Sequence, residues 1–184
     1  MRRLLAAFLL APLLVSPAGA AGWNVDYAKS RLGFTVQWSN EPFAAIFKSW
    51  KADIDFDPAD LAHARASVTI DMASEASDAK ELDDGLRGTF GFEVAQFPTA
   101  HFLATSFTHK TGNDYIATGT LSIRGVTKPV TLPFTLTITG KTAHLTGTAQ
   151  LIRTDFHVGE GEWSADTPVS HAVTVTVDLT ATRL

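Results

Sequence analysis

Apolar and polar residues alternate with period two along most of the chain, the pattern of strands with one buried face. Leu32, Phe34, Val36 and Trp38 form the first series. Trp50, Ala52, Ile54 and Phe56 form the next, opposite Ser49, Lys51, Asp53 and Asp55, and Asp57-Pro58 then turns the chain. Ala66, Val68, Ile70 and Met72 follow, and Phe102 to Phe107 returns to strand. Tyr115, Ala117, Gly119, Leu121 and Ile123 share one face, ahead of a turn over Arg124 to Lys128 that contains Gly125. Val130, Leu132, Phe134, Leu136 and Ile138 oppose Thr131, Thr135, Thr137 and Thr139, and Gly140-Lys141 turns again. Ala143, Leu145, Gly147, Ala149 and Leu151 continue the rhythm, and Val173, Val175, Val177 and Leu179 make the last strand. Roughly eight antiparallel strands joined by short turns predict a sandwich or an up-and-down barrel.

Two segments break the alternation. Ser77 to Leu86 lacks β-branched residues and predicts a short helix with Leu82 and Leu86 on one face and Ser77 or Asp78 as its cap. Gly88, Phe90, Gly91 and Phe92 then predict an irregular, buried stretch closed by Phe97-Pro98. Gly159 to Pro168 is an acidic loop centred on Trp163. The threonine faces suit solvent, while the opposite faces are apolar and rich in aromatics. An eight-stranded barrel is wide enough either for a row of side chains or for one small ligand. Gly119 and Gly147, on apolar faces, either leave space inside or relieve sheet curvature.

Composition adds the compartment and removes several function classes. Arg2 and Arg3, an apolar run from Leu4 to Val15, and Ala18-Gly19-Ala20 make a secretory signal with cleavage after Ala20, too short to span a bilayer. The expectation is a periplasmic or secreted, soluble protein: a signal over 1–20 and one domain over 21–184. Removing Arg2 and Arg3 takes the formal net charge from −4 to −6, which argues against nucleic acid or an anionic membrane surface as partner. With no cysteine there are no disulfides, thiolate metal sites or cysteine nucleophiles.

The order of these segments resembles the YceI-like family of lipocalin-like, polyisoprenoid-binding proteins. The motifs are Trp23-Asn24-Val25-Asp26 with Ser30 and Phe34, Phe47-Lys48-Ser49-Trp50, Ile54-Asp55-Phe56-Asp57-Pro58, Asp84 with Leu86-Arg87, and Phe90 through Phe97-Pro98 with Phe102. The run from Gly119 to Val130 (GTLSIRGVTKPV) is the most specific, and Arg153, Asp155 and Phe156 match a further signature. The resemblance implies an eight-stranded antiparallel lipocalin-like β-barrel with a short helix packed against it. It further implies an internal tunnel holding an isoprenoid chain, as in a quinone or a polyprenyl phosphate. The candidate lining is Phe34, Val36, Trp50, Ile54, Val68, Ile70, Leu121, Val130, Leu132, Phe134, Leu136, Val175 and Val177. From periodicity alone these residues would fill a solid core; the resemblance turns the set toward a tunnel.

Little catalytic chemistry is visible. Arg124 and Arg153 are candidate head-group contacts, although a salt bridge is the favoured reading for each, with Asp155 as the partner of Arg153. Asp53, Asp55 and Asp57 have the spacing of a calcium loop's first ligands, but Pro58 occupies the required glycine and Ala64 the bidentate glutamate. The six histidines show no metal-ligand spacing, and His157 and His171 are expected in solvent. No nucleophile elbow, phosphate loop or dinucleotide fingerprint is present. The reading is a carrier rather than an enzyme, with no cofactor beyond the lipid. An isoprenoid lipid or quinone is the expected partner, and a membrane redox protein or a second copy of the chain are the candidate protein partners. The alternatives are an enzyme acting on an apolar substrate, supported only by His157, Glu160, Glu162 and Asp166, and a filled-barrel interaction module.

Overall fold

The computed structural model describes residues 22–184, so the export signal expected over 1–20 lies outside the described residues. The strands are β1 (Gly22–Val25), β2 (Arg31–Trp38), β3 (Glu41–Phe47), β4 (Trp50–Asp55), β5 (Arg65–Asp71), β6 (Glu75–Ala76), β7 (Thr99–Thr111), β8 (Asp114–Ile123), β9 (Val126–Thr139), β10 (Thr142–Ile152) and β11 (Ala172–Arg183), with helix α1 (Lys80–Arg87) between β6 and β7.

From β4 through β5, β7, β8, β9 and β10 to β11 the strands form one antiparallel sheet. Short β1 closes it: Trp23 pairs with Arg183 of β11 on one side and with Ile54 of β4 on the other. Eight strands therefore form a complete ring, which selects the barrel over the sandwich. Farther along, β11 pairs instead with β2 from Thr174↔Thr35 to Asp178↔Arg31. Strand β2 continues to β3 and β3 to β6, so the barrel opens at this end into a three-stranded leaf. On the opposite wall, β9 pairs with β10 only as far as Gly147↔Phe134. Pro129 and Pro133, which lack an N–H, lie in the part of β9 beyond that pairing.

Several local details differ from the sequence expectations. Two elements, β3 and β6, carry no alternation signal; β3 contains Pro42 and small Ala44-Ala45, and only Ala45 is buried. The 124–128 turn is tighter than expected. Arg124 and Gly125 alone make it, both at positive φ (49° and 73°), as Ser39-Asn40 do between β2 and β3 (52° and 69°). Helix α1 starts at Lys80, with Ala79 at its cap and no side-chain cap bond. Ser77 is otherwise engaged: its N–H lies 3.1 Å from the Asp83 carboxylate and its hydroxyl donates to the same group. Phe90, expected inside, is 56% exposed, whereas Phe92 is buried.

The two glycines on apolar faces serve close approach rather than open space. A Cβ at Gly119 would overlap the Leu103 carbonyl beside the bulge between Ala104 and Ser106, and one at Gly147 would lie 2.8 Å from the Pro133 carbonyl.

Candidate ligand tunnel

Inward-facing side chains leave two adjoining cavities. One, of about 160 Å³, lies within the closed ring; the other, of about 130 Å³, lies in the flared end beneath the leaf, helix α1 and the 157–169 loop. Five residues from five strands, Leu32, Ile70, Leu121, Leu151 and Val175, line both. They are the waist where the two cavities adjoin, and the two cavities together are the candidate conduit.

All thirteen side chains proposed from the sequence face this conduit. Trp50, Ile54, Val68, Val130, Leu132, Phe134, Leu136 and Val177 line the ring cavity, Phe34 and Val36 the flared one, and Ile70, Leu121 and Val175 the waist. Ile54, Val68, Leu132, Val175 and Val177 point inward yet are only half-buried, because the surface they keep is cavity wall. The ring end is closed by aromatic edges: the Phe56 ring lies 5.3 Å from Phe107, 5.6 Å from Tyr115 and 6.2 Å from Phe134.

The flared cavity also draws on residues outside the alternating strands. Phe43 and Phe47 come from β3, Leu82 and Leu86 from α1, and Phe92, Phe156, Val158 and Trp163 from irregular segments. Trp163 packs edge-on against Trp38 at 5.9 Å and touches Gly85 of α1 so closely that a Cβ there would lie 2.7 Å from its ring. The spacing of Leu82 and Leu86 was a usable signal for one of these faces. The loop aromatics carried none, since no period applies there.

The two candidate head-group arginines are both engaged. Arg124 is salt-bridged to Glu93 at 2.9 Å and donates to the His157 carbonyl. Arg153 is buried, at 5% exposure, and does not pair with Asp155, which is exposed. Instead it donates to the carbonyls of Ser170, Val158, Gly159, Trp163, Ala165 and Val169. All its donors are thereby engaged in holding the 157–171 loop over the cavity. Burial pulls the guanidinium below its usual pKa, offset in part by Asp166. The Arg153–Asp155 ion pair is therefore corrected. The strand ends at Ile152 and a 3₁₀ turn begins at Arg153, so a residue two positions on no longer shares its face.

Under α1 lies a second buried polar group that the sequence reading missed. Glu75 has no exposed surface, and neither carboxylate oxygen accepts a hydrogen bond from a protein donor; in its neutral form its O–H donates to Asp83. Its nearest cation, Arg87, stands 3.8 Å away. Burial, and then the charge of buried Asp83, raise Glu75 to about 7. Burial of Asp83 acts the same way, but hydrogen bonds from the Ser77 hydroxyl and N–H and from Glu75, with the charge of Arg87, together outweigh it and hold Asp83 below its usual value.

The remaining candidates lie outside the conduit. His157 meets Glu160 at 2.8 Å, but the two side chains are 62% and 51% exposed. His171 bonds the Ser164 carbonyl at 2.9 Å and stands 3.8 Å from Asp166, without meeting His157. Asp53 is on the solvent face of β4, and Asp57 pairs with Arg183 at 2.8 Å. Among the described residues no histidine or carboxylate lines either cavity, and no group of three or more His, Asp or Glu could hold a metal.

Comparison with known proteins places this geometry. The model of the YceI-like domain matches residues 23–181. A UPF0312 protein of Shewanella denitrificans is 35% identical over 135 residues, 71% of each chain. The protein YceI of Salmonella newport is 34% identical over 137 residues, 72% of this chain and 71% of its own. Among solved structures, Burkholderia cenocepacia BcnA superposes with a TM-score of 0.84 at 34% identity, covering 86% of this chain and 100% of BcnA. A polyisoprenoid-binding domain from Saccharophagus degradans shares the fold, with a TM-score of 0.70 at 15% identity over 90% of this chain and 99% of that domain.

Proposed function

Because this chain belongs to the YceI-like domain family, we propose that it is an exported carrier of an isoprenoid lipid with an uncharged head group, of the quinone class. The observation that carries this reading is the conduit itself: among the described residues it is lined by apolar side chains throughout, with the fully engaged Arg153 as the one charged group in its wall. Each CH₂ taken from water into such a wall contributes about 0.8 kcal/mol, so an extended hydrocarbon chain binds without any catalytic group. A phosphate head group would need a cation with free donors. Arg153 gives its donors to carbonyls, and Arg124 is paired with Glu93. A neutral quinone ring needs no such partner. The S. degradans domain of the same fold is described as polyisoprenoid-binding, which supports the ligand class. The charged-then-apolar pattern of residues 1–20 supports delivery to the periplasm or beyond. A membrane redox protein would then be the natural donor or acceptor of the cargo.

The test is mass spectrometry of the lipid extracted from protein purified without detergent or lipid stripping. The expected result is an isoprenoid quinone at about one molecule per chain, as one conduit requires. A polyprenyl phosphate as the dominant lipid would overturn the neutral head group, and repeated preparations free of isoprenoid would overturn the carrier reading.

A further inference from the structure

Helix α1 carries two different faces. Leu82 and Leu86 form part of the wall of the flared cavity, and Gly85 seats the Trp163 ring that lines the same space. Asp83 and Arg87, one helical turn apart, face instead toward Glu75 of β6. Asp83 and Arg87 from the helix and Lys48 from the β3–β4 turn are the charged groups that act on Glu75. Asp83 is occupied by the Ser77 N–H and hydroxyl. Arg87 donates to the Glu75 main-chain carbonyl and is shared with Asp84 at 3.6 Å. The Glu75 carboxyl is thus left fully buried and without a donor, beside a second buried acid. Such a group is tolerated while neutral; once ionised it needs water or a cation in direct contact.

We propose that α1 is a lid on the flared cavity, latched while the Glu75 carboxyl is neutral beside Asp83 and released when Glu75 ionises. The proposal concerns regulation of the tunnel and rests on its reading as a ligand site. Ionisation sets a second negative charge against Asp83, with Arg87 and Lys48 as the only offsets. Lifting the helix admits water to both acids and uncovers the cavity behind Leu82 and Leu86. The direction follows from the raised value of about 7 against an ordinary 4.5. The latched state holds more protons, so it is favoured at low pH and loses ground as pH rises toward and through 7. If the opened Glu75 titrates normally, the opening equilibrium rises about tenfold between pH 6 and 8.

Hydrogen exchange of the whole protein, corrected for the intrinsic effect of pH, tests the latch whether or not any lipid binds. Opening of the 80–87 amides is expected to rise about tenfold between pH 6 and 8, while β8 amides stay constant. Glu75→Gln should abolish the step. Asp83→Asn, which removes the charge that raises Glu75, should move the step to lower pH, and it serves should the first variant fail to fold. A flat wild-type profile, a step that survives in Glu75→Gln, or an Asp83→Asn step at the wild-type pH would each overturn the latch. Stopped-flow release of the apolar fluorophore N-phenyl-1-naphthylamine tests the lid: its rate should climb over the same interval, and opening without faster release overturns that role. Failure of the fluorophore to enter at all would count against the carrier reading, leaving hydrogen exchange to judge the latch.

Discussion

The two ends of this barrel solve one problem differently. At the ring end, β1 bridges β4 and β11, backbone groups pair strand to strand, and the interior is closed by aromatic edges around Phe56. At the flared end the strands part, and side chains do what the ladders no longer do. The buried charged residues, Glu75, Asp83 and Arg153, all sit there. Arg153 satisfies six carbonyls of a loop that otherwise meets the sheet through the Trp38–Val169 bridge. A closed ring needs no buried charge; an end that gives up ladder bonds replaces them with polar anchors.

Breaking the anchors should therefore hurt in proportion to the backbone they satisfy. Arg153→Met leaves several buried carbonyls without donors and should lower stability by about 4 kcal/mol in urea titration, with proteolysis appearing first in the 157–171 loop. Phe56→Ala, at the ring end, should lower stability by about 3 kcal/mol while leaving loop proteolysis unchanged. Glu75→Gln should do the opposite at alkaline pH. The carboxyl sits near 7 in the fold against an ordinary 4.5, so the stability contributed by its neutral form is complete below about 4.5 and lost by pH 8. The variant should thus be more stable than wild type by about 3 kcal/mol at pH 8 and nearly equal to it at pH 4, measured by urea titration at each pH. Leu86→Ala, whose side chain faces a space already hollow, should lower stability by only about 1 kcal/mol, since few packed contacts are lost. Equal effects for Phe56 and Leu86 would mean that Leu86 is packed as fully as the aromatic cluster around Phe56.

The same contrast explains what could be read from the sequence. Ring strands have one face toward the conduit and one toward water, so period two exposes them, and Val130, Leu132, Phe134 and Leu136 could be assigned inward from alternation alone. The flared end has no such period. Strand β3 carries Pro42 and two alanines, and Trp163 reaches the cavity from an irregular loop. An Arg153–Asp155 pair requires a continuing strand, whereas a 3₁₀ turn redirects the chain there. Glu75 was invisible because nothing in its local sequence distinguishes a buried acid from a solvated one. Whether the strands enclosed a solid core or a tunnel was likewise beyond periodicity, since both present the same apolar faces.

The most direct test of the account is the crystal structure of the protein purified from its native host without lipid stripping. The expected result is the density of one extended chain running from the Phe56 aromatics to Trp163, through the waist at Leu32, Ile70, Leu121, Leu151 and Val175, with no contact to the Arg153 guanidinium. Side chains collapsed into both cavities, with no room for a chain at the waist, would contradict it.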